Sequence, residues 1–600
     1  MNNKKPDTAN YIAALALSAV VLILWQYFFI APMAEKQRLA AEQSAPAATA
    51  SPATPGAPPL AAPARTQPRE AALASSGARL RFDSAKVDGS IKLTGAQIDD
   101  LRLKQYRETL DPKSPEVVFL TPHGTPVATF AETGWAASPG SDTKVPNAAS
   151  VWNAPEQILT PAAPVTLTWS NDAGLTFSRR IALDENYMFT VTDTVENNSA
   201  VPVTLFPYAI ITREGEPVHE AAWTLHEGLF GVLEGLLEKH TYEDMRDPKS
   251  AEIKFEGTGG WLGVTDKYWM ATLIPPQKEK FTARLSLSRE NGGETFRSDY
   301  LLGGRTIAQG AKVSVTHHVF AGAKVVSLVE EYQKTLGIFR YDMTIDWGWF
   351  SFITYWMFIG LDWINKLVGN FGVAIILLTV LVKILFFPLA NRSYESMTKM
   401  KKVQPEMKVI QERHKEDRTK LQQELMALYK REKINPLMGC IPLLLSIPIF
   451  FSLYKVLFVT IEMRHAPFFG WVQDLAAADP TNIFNLFGAL PFSPPSWLHI
   501  GVWPLLMGIT MWFQMKMSPP SPDPTQRQMM VMMPPVFTYL MAAFPVGLVI
   551  YWTVNNILSI LQQYVIMRRL NVPLDVSVKM PEWLSKLIAR RTSGSSSPGE

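Results

Sequence analysis

The sequence predicts an α+β membrane protein: six transmembrane helices, one large antiparallel β-sandwich outside the membrane and a helical hairpin in the cytoplasm. Three observations carry that expectation. The 600 residues are 47% hydrophobic and 18% charged, yet mean hydropathy is only +0.03, so a polar half must average with a greasy one. Several apolar runs come near the ~20 residues that a helix needs to span hydrocarbon. Between the first run and the others, residues 79–322 alternate with the period of a strand. A net charge of +3 gives no case for nucleic-acid recognition. The single cysteine, Cys440, has no partner for an internal disulfide and lies in an apolar run, which suits a packed thiol.

The first element is an anchor over residues 1–34. Its run "YIAALALSAVVLILWQYFFIAPMA" from Tyr11 to Ala34 has no charge, and Lys4 and Lys5 precede it. Pro32 and Met33 stand where a cleaved signal peptide would need small residues, so the helix is expected to stay. The two lysines place the N-terminus in the cytoplasm and send the following chain outside.

Residues 35–78 are rich in Ala, Pro and Ser and read as an extended linker. From Arg79 the texture changes. In "PVTLTWSNDAGLTFSRRIAL", Val165, Leu167 and Trp169 alternate, Asn171 to Gly174 turn, and Leu175, Phe177, Arg179 and Ile181 resume the alternation. Segments such as "YMFTVTDTVEN", "VPVTLFPYAII" and "AKVSVTHHVFAG" continue it, giving one β-sandwich domain over 79–335. His317 and His318 fall on opposite faces of the last strand and read as ordinary core and surface histidines. No metal site and no cofactor are expected.

The aromatic segment 346–369 is predicted to lie flat at the interface, because a crossing there would put the basic stretch 391–435 outside. That stretch holds 12 Lys and Arg against seven Asp and Glu. The further spans are 371–390, 436–460, 501–517, 529–544 and 546–567, with an external loop at 461–500 whose one fixed positive charge is Arg464. The count returns the basic tail 568–600 to the cytoplasm. Within 391–435, Met400, Val403, Met407 and Ile410, then Leu421, Leu425 and Leu428, recur at heptad-like spacing around a polar break, with Asp417 as N-cap of the second helix. This predicts an antiparallel helical hairpin.

Lys383 is the residue that asks for a function. A lysine deep in a spanning helix costs roughly 2.5–3.5 kcal/mol, so it will not face lipid tails. Either it snorkels to the nearer interface, or it faces a wet cavity. Thr379, one turn earlier on the same face, and Asn555, Asn556, Gln562 and Gln563 on the last span favour the cavity. The predicted spans offer no Asp or Glu to pair with it, and Pro436, Pro442 and Pro448 fit helices that splay around such a space. Met507, Met511 and Met515, and Met529, Met530, Met532 and Met533, suit either a surface for varied apolar guests or plain packing.

At these residues the chain resembles the YidC family of bacterial membrane protein insertases, relatives of the mitochondrial Oxa-type proteins. The resemblance covers nearly the whole chain and is strongest in "VGNFGVAIILLTVLVKILFFPL", "MTKMKKVQPEM", "ELMALYKREKINPLMGCIPLLLSIPIFFSLYKVL", "FQMKMSP" and "FPVGLVIYWTVNNILSILQQ". It implies a periplasmic sandwich similar to sugar mutarotases, a five-helix core with a hydrophilic groove, and location in the bacterial inner membrane. It also implies a positive charge in the groove, matched by Lys383, and Thr379, Tyr551, Trp552 and Asn555 are expected to line that groove with it. Two departures matter. Most Gram-negative members carry arginine where Lys383 stands, and lysine loses the planar fork. The pair after "FPxG" is usually Tyr-Tyr and is here Tyr551 and Trp552.

The expected mechanism is that Lys383 draws acidic residues of a client's polar tail into the groove, while the client's apolar helix slides along the third and fifth spans, past Ile449, Leu453, Met530 and Met533, into lipid. The expected partners are nascent membrane proteins, membrane lipids and the Sec translocon. The ribosome and the signal-recognition receptor would be met by the tail and by hairpin residues such as Lys401, Lys402, Lys408 and Arg413. An ion-coupled transporter is the first alternative and predicts an internal repeat or an acidic coupling residue, neither of which is visible. A membrane-anchored sugar enzyme is the second, and it leaves five further spans unexplained.

Overall fold

The computed structural model describes residues 66–217, 225–290, 293–414, 417–435, 438, 441–492, 494–495, 498–518 and 524–572. The expected anchor, most of the linker and nearly all of the basic tail lie outside the described residues.

Residues 79–323 form two antiparallel sheets. The larger has ten strands, with Ala128–Ala137 and Val203–Glu214 at its middle; the smaller has eight, with Trp269–Ile274 and Lys312–Ala323 at its middle. The hairpin read from the sequence shows how local chemistry sets the register. Asn171 Oδ1 accepts from the amides of Ala173 and Leu175 at 3.0 and 2.9 Å, and Gly174 takes the left-handed φ of +87° that closes the turn. Val165 then faces Ile181 across the pair Val165–Ser170 and Leu175–Leu183. Val165, Leu167, Leu175, Phe177 and Ile181 enter the core between the sheets, where burying each stabilises the fold by roughly 1.5–3 kcal/mol.

Arg179 occupies an inward position of the same alternation and stays there because its guanidinium is paired and hydrogen-bonded. Its Nε donates to Asp193 Oδ1 at 2.6 Å and its Nη1 to the carbonyl of Ala96 at 3.2 Å, while Thr133 Oγ1 donates to Asp193 Oδ2 at 2.6 Å. His317 and His318 do point to opposite faces. His317 is fully buried, with Nδ1 2.5 Å from the Tyr300 hydroxyl, and burial pushes its imidazole down to about 4, so it is neutral. His318 Nδ1 lies 3.1 Å from Thr190 Oγ1. Among the described residues no group of three or more His, Cys, Asp or Glu could hold a metal ion.

The helices number twelve among the described residues. Helix α1 (Arg69–Ser75) corrects the extended linker: "REAALAS" is a run of good helix formers, Ala72 is buried, and Arg69 Nε donates to Asp100 at 3.1 Å. Short α2 (Tyr242–Arg246) sits beside the smaller sheet behind a Thr241–Asp244 capping box, and α3 (Val326–Thr335) ends the β domain. Next come α4 (Ser351–Val368), α5 (Phe371–Leu385), α6 (Phe387–Lys402), α7 (Gln404–Arg413), α8 (Arg418–Arg431), α9 (Ile441–Val459), α10 (Val502–Met517), α11 (Pro524–Met541) and α12 (Val546–Arg569).

The single helix expected over 371–390 is instead two. Helices α5 and α6 are bent by 72° at Phe386, because Pro388 in the first turn of α6 has no N–H to continue the ladder of α5. Lys383 therefore stands in the last turn of α5, not seven residues from its end. Among the described residues no single helix is long and apolar enough to cross a membrane; α5 and α6 pass that test only as a bent pair. The reasons differ. Helix α10 has 16 residues, and the 24-residue α12 is diluted by Asn555, Asn556, Gln562 and Gln563. Helix length alone does not give six crossings.

Helices α7 and α8 pack through Met407, Ile410 and Leu428, with Met400, Val403, Leu421 and Leu425 around them. Asp417 Oδ1 accepts from the Lys420 amide at 3.0 Å and caps α8.

Candidate functional site

Lys383 and α12 define the site. Lys383 Nζ donates to Ser559 Oγ at 2.7 Å, and Ser559 Oγ donates to the carbonyl of Asn555 at 2.7 Å. Tyr394 of α6, buried with Ala390 and Ile566 just beyond the bend, lies beside Ser559. Among the described residues no carboxylate pairs with Lys383. The ammonium is thus desolvated in part, held by one hydroxyl, and free to accept an anion.

The other groove candidates divide. Asn555 joins the site through its backbone carbonyl. Thr379 is buried on the Lys383 face of α5, but its Oγ1 donates to the carbonyl of Ile375 at 2.7 Å. Tyr551 is buried. Trp552 points elsewhere: its ring sits 4.9 Å from Phe450 of α9 and 5.0 Å from Phe537 of α11, and so joins the two helices named as a client path. Asn556 and Gln563, expected to face a cavity, instead seal α12 to α10, by bonds to Thr510 Oγ1 at 3.2 Å and to the Met517 carbonyl at 3.0 Å. Of the four path residues, Met533 is exposed and Ile449 and Met530 are half-buried, whereas Leu453 is buried and cannot face a guest. Lys402, Lys408 and Arg413 are exposed; Lys401 Nζ donates to the Lys516 carbonyl at 3.3 Å, which ties α6 to the end of α10.

Ser559 is a site residue that the polar groups named in the sequence do not include. The signal was present: Ser559 is one turn beyond Asn555 and two beyond Tyr551 on one face of α12.

The β domain is joined to the helices by charge. Asp346 takes Lys239 of strand Leu236–Thr241 at 3.1 Å and Lys455 of α9 at 2.9 Å, and the two ammoniums hold its carboxyl well below the usual carboxylate range. Arg464 Nη2 donates to the carbonyl of Arg107 at 2.6 Å and its guanidinium lies 5.5 Å from the Trp269 ring. Glu462 Oε1 accepts the Val326 amide at 3.0 Å at the start of α3, and burial pushes this carboxyl up to about 7.

The α4 helix exposes Phe352, Trp356, Trp363 and Leu367 on one face while burying Met357, Phe358, Leu361 and Ile364 on the other. An exposed apolar face opposite a buried apolar face is what an interface-lying helix needs.

Comparison with known proteins gives matches over both halves. A family described as 60Kd inner membrane protein matches residues 363–573, and one described as YidC periplasmic domain matches residues 79–359. Membrane protein insertase YidC of Methylorubrum extorquens is 49% identical over 598 residues, covering 95% of this chain and 96% of that one. The protein of the same description from Rhizobium meliloti is 48% identical over 590 residues, covering 97% and 99%. A crystal structure of an active YidC insertase aligns over 81% of this chain and 92% of its own at 17% identity, with a TM-score of 0.34. A galactose mutarotase related enzyme from Lactobacillus acidophilus aligns over 41% and 97% at 8% identity and a TM-score of 0.29. Likenesses that loose carry no argument of their own.

Proposed function

This chain belongs to the YidC family of membrane protein insertases, and we propose that it receives the polar tails of newly made inner-membrane proteins at Lys383 and releases their transmembrane helices to lipid. The family is an inner-membrane one with a periplasmic domain, it is not an enzyme family, and the two-sheet domain is that periplasmic part. The observation that carries the mechanism is the placement of Lys383, an ammonium among helices whose hydrogen-bond partner is the Ser559 hydroxyl.

An acidic residue in a client tail would exchange with Ser559 for the ammonium, gaining a charge-assisted bond where water is scarce. The client's apolar helix then passes along Ile449, Met530 and Met533. Moving some twenty apolar residues into hydrocarbon, each worth a few tenths of a kcal/mol, supplies the drive, and no covalent bond changes.

The topology that fits is six crossings, with both termini and the α7–α8 hairpin in the cytoplasm and α4 lying at the outer interface. It is supported by the 12 basic residues of 391–435 against the single Arg464 as fixed positive charge of 461–500. On this topology the exposed Lys402, Lys408 and Arg413 face the cytoplasm, where a ribosome, the signal-recognition receptor or the Sec translocon would be met. Lys383→Ala in reconstituted liposomes should cripple insertion of single-span clients with acidic tails; insertion equal to that of the unaltered chain overturns the mechanism.

A further inference from the structure

The connection between α9 and α10 carries an apolar tip that nothing in the insertion mechanism uses. Residues 480–500 contain no Asp, Glu, Lys or Arg. Within this stretch Phe484, Leu486, Phe487, Leu490 and Phe492 are all exposed, Leu486 at 58% and Phe487 at 55%. Leu486 and Phe487 are consecutive and both left-handed, with φ of 50° and 58°. Bulky residues rarely adopt that conformation, and two in a row persist only where the surroundings impose them. The result is that both side chains are turned outward.

The base of the same connection is tightly made. Buried Asp479 accepts the amides of Thr481 at 3.0 Å and of Trp503 at 2.8 Å, and its carbonyl lies 2.7 Å from His499 Nε2. Thr481 Oγ1 accepts the Val502 amide at 2.9 Å, and Asn482 Oδ1 accepts that of Phe484 at 3.0 Å. Asn370 Nδ2 donates to the Phe468 carbonyl at 3.1 Å, fixing the near side to the start of α5. A rigid base that displays a greasy tip presents it to something.

We propose that this tip is a lipid anchor, seated in the headgroup and upper acyl region of the outer leaflet. The occupant follows from placement and chemistry. The tip hangs between the end of α9 and the start of α10, which the topology proposed above puts at the outer surface, so the inference rests on that topology. Phe and Leu without fixed charge suit the interface, whereas a protein partner would be expected to meet some charged side chain at its rim. With α4, the anchor gives the helical part a second grip on the outer leaflet, both lying at the end of α9 where Asp346 pairs with Lys455.

The test uses the full chain with Cys440→Ser, carrying Phe487→Cys, Phe484→Cys or the control Gln473→Cys, each spin-labelled in phosphatidylethanolamine and phosphatidylglycerol liposomes. Labels at 487 and 484 should collide with oxygen several-fold more than with a water-soluble nickel chelate, while the label at the exposed Gln473 position shows the reverse. Labels at 487 and 484 that match 473 overturn the anchor, and so do labels shielded from both agents, which would mean a protein occupant or a second copy. An impermeant maleimide on spheroplasts separates the two ideas: no labelling at 473 overturns the topology and the anchor with it, whereas labelling at 473 with a wet tip overturns the anchor alone.

Discussion

Lys383 at the end of α5 and Ser559 in the middle of α12 are 176 residues apart in sequence and joined by a 2.7 Å hydrogen bond. The bond gives the ammonium an acceptor that is neutral, and therefore one that an incoming carboxylate can outcompete.

Ser559→Ala removes that acceptor. A hydrogen bond to a charged group contributes about 1.5–3 kcal/mol, so the ammonium loses its fixed position. Insertion of acidic-tailed clients should fall several-fold while neutral-tailed clients are unaffected, and Ser559→Thr should restore the acidic-tailed ones. Equal losses for both client types would assign Ser559 to packing alone.

Trp552→Ala removes the ring between Phe450 and Phe537. Truncating a buried aromatic costs about 3–5 kcal/mol, and this ring is only half-buried, so the lower end applies. Cross-linking between α9 and α11 should become less uniform, and Trp552→Phe should retain most of the spacing.

Asp346→Asn leaves Lys239 and Lys455 facing each other without their shared anion. The site is partly open to solvent, so the cost is on the order of 1–2 kcal/mol. Hydrogen exchange in strand Leu236–Thr241 and in the last turns of α9 should speed up together; faster exchange in only one of them would mean that the ion pairs do not couple the two parts.

Glu462 makes the junction sensitive to pH. Its folded carboxyl titrates near 7, against 4.5 for the free group, so the folded chain binds more protons than the unfolded chain between those values. Stability contributed at this site is therefore greatest below pH 4.5 and declines as pH rises to 7, by on the order of 3 kcal/mol at most. Glu462→Gln keeps an oxygen for the Val326 amide and should flatten the dependence of the thermal midpoint on pH across that window.

Much of this architecture was legible because it is local. Asn171 and Gly174 announce a turn whatever lies around them, and the spacing of Met400, Val403, Met407 and Ile410 selects one face of a helix. Other features were present in the sequence but outweighed: the run "LVKILFFPLA", apolar but for Lys383, reads as one span, and Pro388 is the small signal that breaks it. Thr379 shares the Lys383 face of α5 by its spacing of four, but its face does not say that the hydroxyl will satisfy its own helix. The pairing of Asp346 with Lys455, 109 residues on, depends on how a β domain docks against helices and has no local signature.

The break at Phe386 bears on the lipid itself. With 15 residues at ~1.5 Å each, α5 is roughly 22 Å long, against a hydrocarbon layer of about 30 Å. A shorter helix is matched by dimpling the bilayer around it, and α6, turned by 72°, would run along the floor of that dimple. The bilayer should be thinnest beside Lys383, so a departing tail has fewer methylenes between it and the far side.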